Sequence, residues 1–519
     1  MNSEFRIQNS EFNTDWLTAQ AIASPDKLAL VATRPHRSRR PVRSNLAYRQ
    51  LNALVDGVCG RLASLHLARG SIVAAHLPSS AEYVVLVHAL ARMGLVLAPL
   101  NTRLTSAELG AQLNHVRPAL LIYDEAEPTS IPSHWEKMEA VGQTLTLQKL
   151  MALPPAPFAP APMDLERLQS IVFTSGSSGA PKGVQITFGN LFWNAIASAA
   201  RLGVMPDDRW LSVLPLFHVG GLTVIFRSCI FGTAMALHPK FDVDAVLRSL
   251  DEDAITLVSL VPTMLGRLME LRAQVPSSLR LILLGGAAAS EELLAEAARR
   301  GWPVAPTYGL TEATSQVATM PPDEAARKPG SVGKPLFGAQ VRILDALGEP
   351  SPNGEIGEIA VRGPTVMRGY FDNAEATAKA ICQNELRTGD MGYVDAEGDL
   401  FVLQRRSDLI VTGGENVYPA EVERALRSHP KVKDALVVGL PDAEWGQRVA
   451  ALVVADGITA EELLAHVRAT LAGYKLPRVV RFAPALPLLA NGKLDRAGAR
   501  AMLLDLNEKS GFANLSVLL

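Results

Sequence analysis

Short runs of branched apolar residues recur along this chain, separated by amphipathic stretches, and that alternation restricts its fold more than any other feature. Residues 71–77 (SIVAAHL), 95–99 and 119–123 have the composition of buried strands, and 81–93 between the first two reads as a helix. The pattern resumes with strands at 171–173, 255–259 and 281–284 and helices expected over 263–272 and 291–299. A strand, a covering helix and another strand in succession favour parallel sheets with helices packed on their faces. At 519 residues, and roughly 150 residues per folding unit, the chain has room for about two to four such cores.

After about residue 330 the texture changes. Short strands at 341–344, 358–361, 392–394 and 400–403 are separated by Asn353-Gly354 and by the DAEG turn at 395–398, which are signals of hairpin connections. A small antiparallel barrel or sheet is expected there. From 409 onward a helix over 419–427, strands near 435–438 and 450–454, and a helix over 460–471 form a second α+β texture. The expected class is therefore α/β: a large N-terminal domain of two helix-covered sheets plus a small β-barrel, and a smaller, mobile α+β C-terminal domain. The expected boundaries are a mobile tail over 1–14, the large domain over 15–406, the C-terminal lid over 407–500 and a tail over 501–519. Five prolines in 152–164 (ALPPAPFAPAPMD) preclude a helix or central strand and read as a linker inside the large domain.

Charge narrows the range of ligands. Lys and Arg number 50 against 52 Asp and Glu, a balance that argues against nucleic acid as a partner held by bulk charge. The most apolar stretches, 83–100 and 210–237, are broken by His88 and Arg92 and by His218 and Arg227. No membrane span is expected, nor a signal peptide, and the chain reads as cytoplasmic. The three cysteines, Cys59, Cys229 and Cys382, have neither disulfide-framework nor zinc spacing. The repeated NSEF at 2–5 and 9–12 is too short to build a repeat fold, and Arg34, Arg37, Arg39, Arg40 and Arg43 read as a solvated loop.

The strongest chemical signal follows the strand at 171–173: Thr174, Ser175, Gly176, Ser177, Ser178, Gly179, Ala180, Pro181, Lys182 and Gly183. Hydroxyls, glycine N–H groups and an ammonium in one short loop suit phosphate oxygens. This is not a Walker loop, because Pro181 precedes the lysine and Gly183 stands where a magnesium-binding hydroxyl belongs.

Together with YGLTE at 308–312, RTGD at 387–390, RRSD at 405–408, GGEN at 413–416 and NGK at 491–493, this loop resembles the ordered motif set of the AMP-forming adenylate superfamily. Acyl-CoA synthetases, luciferases and adenylation domains belong to it, and the likeness spans about residues 15–500. It implies an acid–thiol ligase that joins a carboxylate to the α-phosphate of ATP, releases pyrophosphate and passes the acyl group to coenzyme A. It also implies a magnesium ion, with Glu312 as ligand and Thr174 nearby. By the same resemblance Lys493 and Lys182 stabilise phosphate charge, Thr311 contacts phosphate, Asp390 accepts the ribose hydroxyls, and Arg405 lies near ribose and phosphate. Gly285, Gly286 and Ala287 with Thr307, Tyr308 and Gly309 correspond to the walls of the adenine slot. Ser407 stands at the hinge, where the family commonly has Asp or Lys. Gly413, Gly414, Trp445, Tyr474 and Lys475 match positions that meet coenzyme A, and the resemblance leaves a homodimer open.

Acid choice rests on 210–227, an apolar stretch with one imidazole, His218, and one guanidinium, Arg227. A buried arginine must be paired or hydrated, and a monoacid offers no anion there once its carboxylate is adenylated. The segments 101–105, 211–227, 283–286 and 311–316 resemble those of ligases acting on 2-succinylbenzoate, an aromatic dicarboxylate of menaquinone biosynthesis. On that resemblance Arg227 holds the benzoate carboxylate, with His218, Ser315, Gly309 and the Gly285-Gly286 edge around the acyl group. A ligase for a fatty or aromatic monoacid shares every ATP residue and stays open. A catalytically silent adenylate-binding module would show damaged motifs, yet Lys182, Glu312, Asp390, Arg405 and Lys493 are all present.

Overall fold

A computed structural model describes residues 14–34, 42–124, 138–175, 181–272, 274–287, 289–345, 347–404, 409–487 and 494–509. Gly176, Ser177, Ser178, Gly179, Arg405, Ser407 and Lys493 lie outside the described residues, as do the NSEF repeat and Arg37, Arg39 and Arg40. The chain forms two compact units, one drawn from Met1–Thr102, Gln112–Thr174 and Lys182–Gln404, the other from Arg103–Ala111, Ser175–Pro181 and Arg405–Leu519.

The first unit contains three sheets. In the nine-stranded sheet, the strands Val304–Leu310, Leu281–Leu284, Leu257–Leu260, Arg209–Ser212, Ala234–Leu237 and Leu28–Arg34 are neighbours in that order and run parallel. Antiparallel strands close both sides: Ser315–Thr319 and Lys334–Pro335 at one, Val42–Ala47 at the other. The seven-stranded sheet contains Leu168–Ser175, Val96–Pro99, Ile72–His76, Leu120–Tyr123 and Gln143–Thr146. The near-continuous apolar composition of Val96–Pro99, Ile72–His76 and Leu120–Tyr123 follows from burial on both faces, as parallel sheets require. Gln340–Leu344, Gly357–Arg362, Glu385–Val394, Ile381–Cys382 and Leu400–Gln404 form the third sheet, antiparallel as the turn signals imply.

Local signals account for the helices. Helix Ala81–Met93 is capped by Ser80, whose hydroxyl accepts the Tyr83 N–H, and ends at left-handed Gly94 with φ 74°. Helix Glu291–Arg299 starts the same way at Ser290. The proline-rich stretch contains no strand but is docked: Ala161 N–H donates to the Arg92 carbonyl at 2.7 Å, and Ala161 and Met163 are buried.

One strand departs from the expected plan. The segment from about 330 to 406 reads as one antiparallel unit in sequence, yet Gly369–Tyr370 leaves it and pairs with Pro181–Thr187 in the seven-stranded sheet. Two residues are too few to carry a readable period-2 pattern, so their pairing is decided by tertiary contact.

The second unit contains its own sheet, Glu415–Val417, Ile410–Thr412, Gly446–Ala455, Val432–Asp442 and Val479–Phe482. The tail expected from 501 begins instead inside helix Arg496–Lys509, whose Ala499 and Leu503 are fully buried against that sheet. The helix expected over 460–471 stops at Val467. No helix among the described residues is long and apolar enough to cross a membrane.

Candidate active site

The segments that the resemblance assigns to the adenine slot stand where two parallel strands end side by side. Leu284 is in register with Pro306, which sets Gly285 against Thr307: a β-carbon on Gly285 would lie 2.7 Å from Thr307 Cγ2. Gly286 follows with φ +79° and is exposed. Ala287 is half-buried beside it. Past Tyr308 the chain tightens into the 3-10 turn Thr311–Ala313, and Thr314 and Ser315 follow with φ of +54° and +95°. Two consecutive non-glycine residues in the left-handed region mark stored backbone strain of the kind found at functional sites. That return brings the Ser315 carbonyl so close to Gly309 that a β-carbon there would lie 1.8 Å from it. Gly309→Ala should therefore cost about 3 kcal/mol or more, read as a fall in melting temperature together with loss of ATP-dependent turnover.

Tyr308 is buried, and its hydroxyl donates to Asp390 Oδ2 at 2.6 Å. Asp390 also receives support from Thr388, whose Oγ1 accepts the Asp390 N–H at 3.1 Å. A carboxylate oriented by a buried phenol suits the fixed geometry of a ribose diol. Across the site, Glu312 is buried and accepts the Tyr370 hydroxyl on Oε1 at 2.9 Å, with no ion pair among the described residues. The Lys182 ammonium stands 5.0 Å over the Tyr370 ring. The short strand Gly369–Tyr370 thus joins the lysine that ends the phosphate loop to the carboxylate expected to hold a cation. Thr174, half-buried, closes the strand Leu168–Ser175 that enters this loop.

His218 and Arg227 share one helix. His218 caps helix Val219–Phe231, its ring packed edge-on against Phe217 at 4.7 Å. Gly221 lets the first turn approach the Leu214–Pro215 backbone, since a β-carbon would lie 2.4 Å from the Pro215 carbonyl. Arg227, in the stretch Gly221–Cys229 that is buried all round the helix, is 5 % exposed. Its Nη2 donates to Asn194 Oδ1 at 2.9 Å and Gln316 Oε1 at 3.1 Å. The guanidinium carbon lies 4.6 Å over the Trp210 ring, and Nε is buried without a hydrogen-bond partner among the described residues. Burial lowers the group to about 10, so it stays cationic at neutral pH. No carboxylate pairs with it among the described residues.

In the second unit Gly413 and Gly414 adopt φ of +57° and +84°. Gly413 N–H donates to the Trp445 carbonyl at 2.9 Å, and a β-carbon there would meet the indole at 2.5 Å. Trp445 is 41 % exposed. The Lys475 ammonium is buried and donates to Glu108 at 2.6 Å and Glu421 at 2.8 Å. Tyr474 is pushed well above the ordinary tyrosine range by burial.

Tyr370, Asn194 and Thr319 escape sequence reasoning, and Gln316 stands in a noted motif without an assigned role. Asn194 offers no signal in sequence, being one amide in the amphipathic helix Phe188–Leu202. Only the fold shows that it is fully buried and facing an arginine.

The geometry has clear relatives. A family model described as AMP-binding enzyme matches residues 17–371, and one described as AMP-binding enzyme C-terminal domain matches 421–493. A 2-succinylbenzoate–CoA ligase of Bacillus pumilus is 41% identical over 488 residues, 93% of this chain and 96% of that protein. Among solved structures, a double mutant of o-succinylbenzoate CoA synthetase from Bacillus subtilis, bound with its product analogue, aligns with TM-score 0.87 and 38% identity. It covers 95% of this chain and 98% of that one. The same enzyme in complex with ATP and magnesium ion aligns with TM-score 0.71 and 37% identity, covering 95% and 99%. With two-thirds of the chain under one family model and a relative 41% identical over 93% of its length, this protein belongs to the AMP-binding enzyme family.

Proposed function

We propose that this chain is an ATP-dependent acid–CoA ligase whose acid is 2-succinylbenzoate. The observation that carries the choice of acid is Arg227, a buried guanidinium stacked on Trp210 and held by two neutral amides, with no carboxylate of its own among the described residues. Burying an unneutralised cation is costly. The cost is offset when the ligand itself brings the counter-ion, as the benzoate carboxylate of this acid does. The names of the relatives point the same way: two act on or bind this acid or its thioester analogue, and one binds ATP and magnesium.

In the first half-reaction the succinyl carboxylate attacks the α-phosphorus, the bond to the β-phosphate oxygen breaks, and pyrophosphate leaves. Two anions must be held together, so Lys182 and, by its motif, Lys493 supply charge, while Asp390, oriented by Tyr308, holds the ribose. Glu312, with a hard oxygen in a buried setting, and Thr174 suit a magnesium ion, which would neutralise phosphate charge when bound. In the second half-reaction the thiol of coenzyme A attacks the acyl carbonyl and AMP departs; the resemblance assigns Gly413, Gly414 and Trp445 to coenzyme A.

A pyrophosphate-release screen over carboxylic acids, run with and without coenzyme A, tests the assignment. Release is expected with 2-succinylbenzoate, and thioester only when coenzyme A is added. Turnover confined to fatty acids would move the acid to the monoacid class while leaving the ligase chemistry intact.

A further inference from the structure

Three cationic side chains among the described residues are buried: Arg92, Arg227 and Lys475. Arg92 is paired with Asp15 at 2.8 Å and Asp56 at 2.6 Å, and Lys475 with Glu108 and Glu421. Elsewhere, then, this fold neutralises a buried cation with two carboxylates. At Arg227 it uses two carboxamides, each presenting a neutral oxygen to Nη2.

The amides are themselves fixed. Gln316 Nε2 donates to Thr319 Oγ1 at 3.0 Å, Thr319 and Thr307 hydroxyls lie 2.8 Å apart, and Thr307 donates to the Ala318 carbonyl at 2.9 Å. With Thr307 donating onward, Thr319 donates to Thr307, and every hydrogen bond points away from Arg227. Arginine cannot accept, so Gln316 must turn Oε1 toward it and Nε2 toward Thr319. Asn194 Nδ2 reaches the Gln316 carbonyl at 3.5 Å. Buried Asn194 and Gln316 thus form a cradle that holds the guanidinium without neutralising it, where an aspartate or glutamate of similar size would neutralise it.

We propose that Asn194 and Gln316 are specificity-determining positioning residues: their uncharged oxygens hold Arg227 in place while leaving its positive charge for the remote carboxylate of the acid. This rests on the functional reading above. An acid lacking that carboxylate gains nothing from the cation, whereas a fixed protein carboxylate at either position would compete with the substrate for it.

The test compares Asn194→Asp, Gln316→Glu and Asn194→Ser with the parent protein, using 2-succinylbenzoate and 3-benzoylpropionate, the same keto acid without the ring carboxylate. Asn194→Asp and Gln316→Glu are expected to lower the ratio of kcat/KM for diacid over monoacid by about tenfold or more, through KM for the diacid. Both should melt no lower than the parent, because each adds a counter-ion beside a buried cation. Asn194→Ser, which keeps a neutral oxygen, should retain the ratio to within about threefold. Equal losses on both acids, a ratio lost as fully in Asn194→Ser, or unfolding of both carboxylate variants would overturn the proposal. If the parent shows no preference for the diacid, the functional reading fails. A parental preference that the carboxylate variants leave intact sinks the cradle alone.

Discussion

Arg227→Ala should reduce kcat/KM for 2-succinylbenzoate by about two to four orders of magnitude. The side chain is 5 % exposed, and its charge has no protein carboxylate to compensate it among the described residues. When the diacid binds, its ring carboxylate would become the missing partner in a low-dielectric setting. Removing one member of a buried charged pair costs roughly 3–5 kcal/mol, and each 1.36 kcal/mol is about a factor of ten. Alanine also leaves a void over Trp210, so some general loss is expected. The discriminating quantity is the contrast between acids: steady-state kinetics with 3-benzoylpropionate should show a loss at least about tenfold smaller. Identical losses would mean that Arg227 only packs the helix, and the acid would have to be sought among monoacids.

Glu312→Gln is expected to slow adenylation by about 100- to 1000-fold, the range found when one electrostatic contributor to a transition state is removed. The substitution keeps the size of the side chain and an oxygen for Tyr370, which donates to Glu312 at 2.9 Å. What it removes is the negative charge a divalent cation needs. The magnesium concentration for half-maximal rate should rise with the fall in rate, measured by pyrophosphate release over a magnesium titration. The thioester step started from preformed acyl-adenylate should fall much less, since pyrophosphate has already gone. A variant equally slow in both half-reactions, with an unchanged magnesium requirement, would assign Glu312 to structure.

The regular elements were legible because local rules and global packing agree in them. Residues 81–93 and 291–299 read as helices and are helices to the residue, since Ser80 and Ser290 stand at their starts and the apolar spacing repeats within them. The parallel strands were legible from their unbroken apolar runs. Helix Arg496–Lys509 was not, because the burial of Ala499 and Leu503 is supplied by strands that lie earlier in the chain. The strand Gly369–Tyr370 was hidden for a related reason: it is two residues long and its partner is Pro181–Thr187.

By itself the amino-acid sequence determined the order of strands and helices, the nucleotide motifs and the presence of one guanidinium in an apolar stretch. Those are properties of residues and their near neighbours, where hydrogen-bonding type, charge and period suffice. Only the tertiary structure decided what surrounds each charge. It gave Lys475 two carboxylates and Arg227 two amides, set Tyr308 on Asp390, and joined Lys182 to Glu312 through Tyr370. The physical reason is that the strength of a charge is set by burial and by the groups within a few ångströms, and in this fold those groups come from strands and helices up to hundreds of residues apart.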